Sequence, residues 1–266
     1  MSVGFEELAS VDGKVTATAA ATIGLKDDGL YRGDGAFEVI RLYQGRPFAL
    51  GDHLDRLGRS ATAIELSFDR AALEAEIEAL LAQAGPVDGQ LRLIVTRGGR
   101  RIAATEPIPI HGETLRVATV TYTPTIILNG VKSISYAANM QATRLAKAQG
   151  ADEAVLVRPE GTVLEPPTST IFWVAADGEL RTPALSDGVL ESITRDRLVK
   201  ALDVAESTWP VDDLLAASEA FLASTTREIQ AVAAVNGNDL PAAPGPRTRE
   251  AQEAFAATLG RELREL

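Results

Sequence analysis

Apolar residues recur along the chain with two periods, and the switches between them mark out its elements. Leu50, Leu54, Leu57, Ala61 and Ile64 fall at steps of four and three, the spacing of one helix face. A second helical stretch follows, with Asp69 as its N-cap, Leu73, Ile77, Leu80 and Leu81 inward, and Gly85-Pro86 as its stop. Period two takes over at Leu91, Leu93 and Val95, which puts Arg92 and Ile94 on the opposite face of that strand. Strands are also predicted over 36–43, turned at Gln44-Gly45, and over 115–122, while Asp12-Gly13 marks a hairpin within 11–15. Beyond Thr121-Tyr-Thr-Pro-Thr125 the pattern changes: a short helix over 139–149 closed by Gly150, strands over 153–157 and 171–174, and a hairpin turn at Asp177-Gly178. Helices over 194–202 and 212–217, a strand over 220–223 and a final helix over 249–266, with Phe255, Leu259 and Leu263 in register, complete it. The pattern reads as α+β, with an N-terminal domain over 1–120, a connector over 121–128 and a C-terminal domain over 129–266.

Composition narrows the function classes. The chain has 266 residues, 45% apolar, with 37 acidic against 26 basic residues and a net charge of −11, which argues against nucleic acid as a partner. It has no cysteine, which excludes disulfides, thiolate metal sites and thiol nucleophiles, and His53 and His111 are its only histidines. No apolar run approaches the roughly 18 residues of a membrane span. The acidic N-terminus Met1-Ser-Val-Gly-Phe-Glu-Glu shows no export signal, so a cytoplasmic protein without a membrane partner is expected. Generic nucleotide motifs fail: there is no P-loop, and Gly33-Asp-Gly35-Ala-Phe-Glu38 lacks a third glycine. Arg97-Gly-Gly-Arg100-Arg101 is a basic cluster without aromatics, expected to be a solvated loop, and Asp52 with Arg56 has the spacing of a surface pair on a helix.

An ordered set of segments carries more. Leu30-Tyr-Arg-Gly-Asp-Gly-Ala-Phe-Glu-Val-Ile-Arg41 precedes His53-Leu-Asp-Arg-Leu57; then come Val131-Lys-Ser-Ile-Ser-Tyr136 and Gly150-Ala-Asp-Glu-Ala-Val-Leu156. Gly161-Thr-Val-Leu-Glu165, Leu190-Glu-Ser-Ile-Thr-Arg-Asp196 and Phe221-Leu-Ala-Ser-Thr-Thr226 complete the series. In order and spacing the series resembles the class IV aminotransferases, the fold type IV pyridoxal-phosphate enzymes. That group includes D-amino-acid transaminases, branched-chain aminotransferases, 4-amino-4-deoxychorismate lyases and R-selective amine transaminases. The resemblance implies a two-domain α+β fold: a smaller N-terminal domain and a larger C-terminal pseudo-barrel that binds pyridoxal 5'-phosphate. It also implies a homodimer whose active sites are completed across the interface.

On that resemblance Lys132 matches the lysine that forms the Schiff base and then carries a proton between substrate and cofactor. Lys147 and Lys200, on amphipathic helices, are expected to face solvent. Glu165 matches the carboxylate that keeps the pyridine nitrogen protonated; taken alone it reads as a strand-end carboxylate. Arg56, the backbone of Ile193-Thr194 at a helix start, and Ser224-Thr225 match the phosphate site, although Thr194 also reads as a simple N-cap. Tyr136 is placed near the cofactor's phenolate oxygen, and Thr226 near the substrate.

The departures concern substrate. Glu165-Pro-Pro-Thr stands where relatives have Glu-Gly, and Ser192 replaces a glycine. D-amino-acid transaminases carry Arg-x-His after their Thr-Arg-Gly turn, whereas Ile102 and Ala104 occupy those places here. Arg32 and Arg92 are the expected substitutes, read either as carboxylate ligands or as structural arginines, one paired with an acid such as Asp34. The implied activity is transamination between a D-amino acid and a 2-oxo acid such as 2-oxoglutarate. Branched-chain L-amino-acid transamination, deoxychorismate lysis and an inert cofactor-binding protein are the alternatives.

Overall fold

The computed structural model describes residues 5–265. Residues 1–4, part of the stretch read for an export signal, and Leu266, the expected end of the last helix, lie outside the described residues. The chain divides into two compact units. One takes in the chain up to Pro109, the segment Val131–Tyr136 and the residues from Glu262; the other comprises Ile110–Gly130 and Ala137–Arg261. The stretch 121–128, read from sequence as the connector, thus lies inside the second unit.

The first unit runs β1 (Leu8–Val11), β2 (Lys14–Ala17), α1 (Asp28–Arg32), β3 (Gly35–Tyr43), β4 (Arg46–Pro47), α2 (Leu50–Ala63), α3 (Arg70–Ala84), β5 (Gly89–Thr96) and β6 (Arg101–Glu106). Its sheet has the order β2-β1-β6-β5-β3-β4, with every pair antiparallel. One sheet face is apolar: Ala36, Ile40, Leu42, Leu91, Leu93 and Val95 are buried with Leu54, Leu57 and Ala61 of α2 and Leu73, Ile77 and Leu80 of α3. Burying each such leucine contributes roughly 1.5–3 kcal/mol. Asp69 caps α3 by accepting from the Ala72 N–H at 3.0 Å, and Gly85 ends it, as the sequence predicts. Because α2 and α3 cover one face, the opposite face carries Phe37, Val39, Arg41, Arg92 and Ile94.

The second unit contains β7 (Thr114–Thr121), α4 (Ala137–Ala148), β8 (Glu153–Val157), β9 (Thr170–Val174), β10 (Leu180–Pro183), α5 (Ile193–Ala201), β11 (Ala205–Ser207), α6 (Val211–Leu215), β12 (Glu219–Ser224), β13 (Glu228–Val235), β14 (Asn238–Asp239) and most of α7 (Pro246–Glu265). Its sheet follows the order β11-β10-β9-β12-β13-β7-β8, with β14 on β13. The β7–β8, β7–β13 and β10–β11 pairs are parallel, and α4 and α5 make two of the crossovers. The sheet curls into a half-barrel around Val117, Val155, Ile171, Trp173, Leu222 and Val232. Every residue of β8 and β9 is buried, as expected of strands covered on both faces. The same covering explains β13, which the sequence does not announce: its alanine-rich run has no period-two alternation.

Candidate active site

In the first unit, the short β4 leaves part of the β3 edge open, and residues 132–134 fill it. The Phe37 N–H donates to the Lys132 carbonyl at 3.0 Å, the Ile134 N–H donates to Gly35 O at 3.1 Å, and Ser133 lies opposite Ala36. The Lys132 N–H donates to Ser60 Oγ of α2 at 3.1 Å. Gly35 permits this close approach: a Cβ there would fall 2.4 Å from the Val95 carbonyl oxygen and 2.9 Å from Ile134. With its main chain held, Lys132 places Nζ 4.4 Å from the centre of the Phe37 ring. The edge of Tyr136 meets the same ring at a centroid distance of 5.4 Å. Phe37 therefore brings the predicted lysine and the predicted tyrosine together.

Behind this strand lies a buried charge cluster. Arg56 is 5% exposed, so it is not the surface charge that its spacing from Asp52 allows. Its Nε and NH2 donate to the two oxygens of Glu38 at 2.8 and 2.7 Å, and His53 Nδ1 meets Glu38 Oε2 at 2.8 Å. Burial pushes the Glu38 carboxyl up, but the Arg56 charge and hydrogen bonds, helped by His53, outweigh it and hold the carboxyl at about 2. Burial pushes the His53 imidazole down, against the pull of Glu38; the charges of Arg56 and Lys132 act in the same direction as burial. Histidine is thus neutral, donating from Nδ1, and its Nε2 is buried without a hydrogen-bond partner among the described residues. His53, Arg56 and Ser60 stand at steps of three and four on α2, so one helix stripe supports both Glu38 and the Lys132 main chain. Sequence reasoning assigns no role to Glu38 or His53. The available signal was a carboxylate alternating with Ala36, Ile40 and Leu42 on the buried face of β3.

In the second unit, Glu165 is half-buried, and its Oε1 accepts the Leu190 N–H at 2.8 Å. The cap of α5 is Ser192, not Thr194: Ser192 Oγ accepts the Arg195 N–H at 3.3 Å. Ile193 and Thr194 are the first helical residues, both buried, where amides have no acceptor within the helix. Ser224 ends β12 and accepts the Arg227 N–H at 3.3 Å, making a turn in which Thr225 and Thr226 are half-buried. The Arg227 side chain anchors that turn by donating to Glu153 at 3.0 Å and Gln230 at 2.6 Å. Pro166 and Pro167 are buried.

The two candidate substrate arginines differ. Arg32 is 77% exposed and pairs with Asp28 at 3.3 Å; Asp34 instead pairs with Arg97 at 3.0 Å. Arg92 is held by Glu106, with Nε and NH2 donating at 2.6 and 2.8 Å. Ala104 and Ile102, which replace the Arg-x-His pair, stand directly opposite Arg92 and Ile94. The basic cluster is paired off, with Arg97 on Asp34, Arg100 on Asp12 and Arg101 on Glu76. Lys200 is 73% exposed and pairs with Asp196 one helical turn away. Among the described residues no cluster of His, Asp and Glu suits a metal ion, and no helix is long and apolar enough to cross a membrane.

Comparison with known proteins gives the family. The family described as amino-transferase class IV matches residues 35–235. The chain is 31% identical to a D-alanine aminotransferase of Bacillus licheniformis, over 92% of this chain and 94% of that one. It is 33% identical to a putative branched-chain-amino-acid aminotransferase of Methanocaldococcus jannaschii, over 85% and 87%. A fold IV transaminase from Curtobacterium pusillum superposes with a TM-score of 0.82 at 25% identity, covering 94% of this chain and 99% of that one. Membership therefore rests on sequence and fold together: the chain belongs to the class IV aminotransferases, and its cofactor is that of the family, pyridoxal 5'-phosphate.

Proposed function

We propose that this aminotransferase moves an amino group between a D-amino acid and a 2-oxo acid, with Lys132 as its catalytic residue. When bound, pyridoxal phosphate supplies an aldehyde that takes up the amino group and a ring that draws electrons from the substrate α-carbon. The donor set suits that group. Lys132 Nζ is the amine that anchors the aldehyde and then carries the proton at the substrate α-carbon. Arg56, the amides of Ile193 and Thr194, and the hydroxyls of Ser224 and Thr225 offer charge and donors to phosphate. Glu165 would hold the ring nitrogen protonated, and Tyr136 would donate to the phenolic oxygen. The observation that carries the reading is the lysine itself: a main chain fixed to β3 and α2, and an amine seated 4.4 Å over Phe37.

The D-amino-acid assignment is supported by Arg92 on the Phe37 face, by Arg32 beside Gly33, by Thr226 next to the turn at Ser224-Thr225, and by the D-alanine aminotransferase relative. Branched-chain L-transamination is the second reading, favoured by Glu106 occupying Arg92 and by the archaeal relative. Adding single D- and L-amino acids to the holoenzyme, while following the cofactor's visible absorbance and the 2-oxo acid released, decides between them. Loss of the lysine-linked band with D-amino acids only is the expected result; conversion by L-leucine alone gives the second reading. Pyruvate release from aminodeoxychorismate would mark a lyase, and no change with any substrate an inert binder.

A homodimer is part of this proposal. Ile23, Leu25, Leu30 and Tyr31 are 38, 70, 54 and 57% exposed within one short stretch, an apolar patch that a second copy would cover. Leu25→Glu should shift sedimentation from dimer to monomer.

A further inference from the structure

Phe37, over whose ring Lys132 Nζ sits, lies directly across from Ile94, and Val39 lies across from Arg92. Arg92 is therefore on the lysine's side of the sheet, about 7 Å further along, the rise of two residues. On β6, Ala104 faces Arg92 and Glu106 faces Gln90, so Glu106 shares that side. Glu106 grips the Nε–NH2 edge of Arg92 and also accepts from Gln90 Nε2 at 2.5 Å. The Arg92 contacts hold its carboxyl below the usual range despite the upward push of burial, so it is an anion at neutral pH. Arg41, on the same face, has its guanidinium 5.0 Å from the centre of the Tyr43 ring.

We infer that Glu106 sets the substrate class of the Lys132 site, by acting as a built-in competitor for Arg92 that favours substrates with one carboxylate over those with two. The inference rests on the reading of Lys132 as the reacting amine. A second substrate carboxylate arriving at this face meets an arginine already neutralised on one edge and a fixed negative charge beside it. To take the fork it must displace Glu106, which leaves that carboxylate unpaired in a half-buried place. A substrate with a single carboxylate and an uncharged side chain meets no such opposition. Directly across β6 Arg92 meets only the small side chain of Ala104, so on that strand the charge that competes for it comes from Glu106, opposite Gln90.

The test uses the acceptor half-reaction, because pyruvate and 2-oxoglutarate have no stereocentre and the result does not depend on whether the donor is a D- or an L-amino acid. Wild-type holoenzyme is expected to show a higher kcat/KM for pyruvate than for 2-oxoglutarate. Glu106→Gln should shift that ratio toward 2-oxoglutarate by about tenfold, an effect that narrows as salt screens the charges. An unchanged ratio in an active Glu106→Gln enzyme, or a ratio insensitive to salt, overturns the inference while leaving the transaminase reading standing. Failure with every acceptor overturns both. Calorimetric binding of butyrate and glutarate to the wild-type holoenzyme gives the answer even if the variant does not fold. Tighter binding of butyrate supports the inference, and glutarate binding tenfold tighter than butyrate overturns it.

Discussion

Lys132 and Arg56 illustrate how differently a single side chain can be tied to the fold. Lys132 is held by main-chain hydrogen bonds to Phe37 and Ser60, which its side chain does not supply. Lys132→Ala should melt at the wild-type temperature and keep less than about a hundredth of wild-type turnover, since anchor and proton carrier are lost together. Retained turnover would remove the lysine from the mechanism. Arg56, if it binds phosphate as proposed, has two duties. Arg56→Ala takes away a phosphate contact worth roughly 1.5–3 kcal/mol, and it also strands Glu38 in the core, a further cost of about 3–5 kcal/mol in folding. The double variant Arg56→Ala with Glu38→Gln separates them: most of the stability should return, while cofactor affinity stays about 10–150-fold down. Recovery of affinity along with stability would make Arg56 a structural residue only. Glu165→Gln should retain cofactor but slow proton removal from the amino acid, seen as a lower rate constant in the half-reaction.

At the level of elements, the sequence shows most clearly what local pattern controls. Helices α2 and α3, the stop of α3 at Gly85 and the outward face of Arg92 follow from period and capping alone. Lys132, Glu165 and the α5 start are legible because motifs with fixed spacing surround them. What is not legible is partnership across elements. Arg56 shows its helix but not Glu38 on the neighbouring strand, and Arg92 shows its face but not Glu106. Strand β6, which supplies Glu106, carries Ile102, Ala103, Ala104 and Thr105, too uniform to display alternation. The junction of β3 with residues 132–134 is equally silent in sequence, and it yields a prediction. Gly35→Ala would drive a methyl group against the Val95 carbonyl, a backbone atom that cannot swing aside. The strand pair must shift, costing about 1–3 kcal/mol and moving the Lys132 segment hydrogen-bonded to Gly35. A lower melting temperature together with slower attachment of cofactor to Lys132 is expected. Normal attachment in a destabilised variant would show that the segment holds its place without β3.

The whole molecule carries a net charge of −11, and Asp12, Glu38 and Glu106, whose carboxyls are held below their ordinary range, belong to the first unit. That distribution fixes how acid should unfold it. Glu38 titrates at about 2 in the fold against an ordinary 4.5, so its contribution is complete above 4.5 and is lost as pH falls toward 2. His53 is also depressed, from 6.5, so the unfolded chain takes up its proton first, and stability begins to fall below that value. Both groups have the same sign, and their windows follow one another: a shallow decline from 6.5, then a steep one from 4.5. Denaturant titrations over a pH series should show this two-stage loss, with the lower stage amounting to a few kcal/mol. Glu38→Gln should flatten the lower stage, because an amide has no proton to gain there. Hydrogen exchange in the acid range should expose β3 and α2 before β9 and β12, whose partners are mainly apolar. Equal loss of protection in both units, or stability unchanged between neutral pH and the Glu38 range, would show that the buried Glu38–His53–Arg56 cluster does not govern acid unfolding.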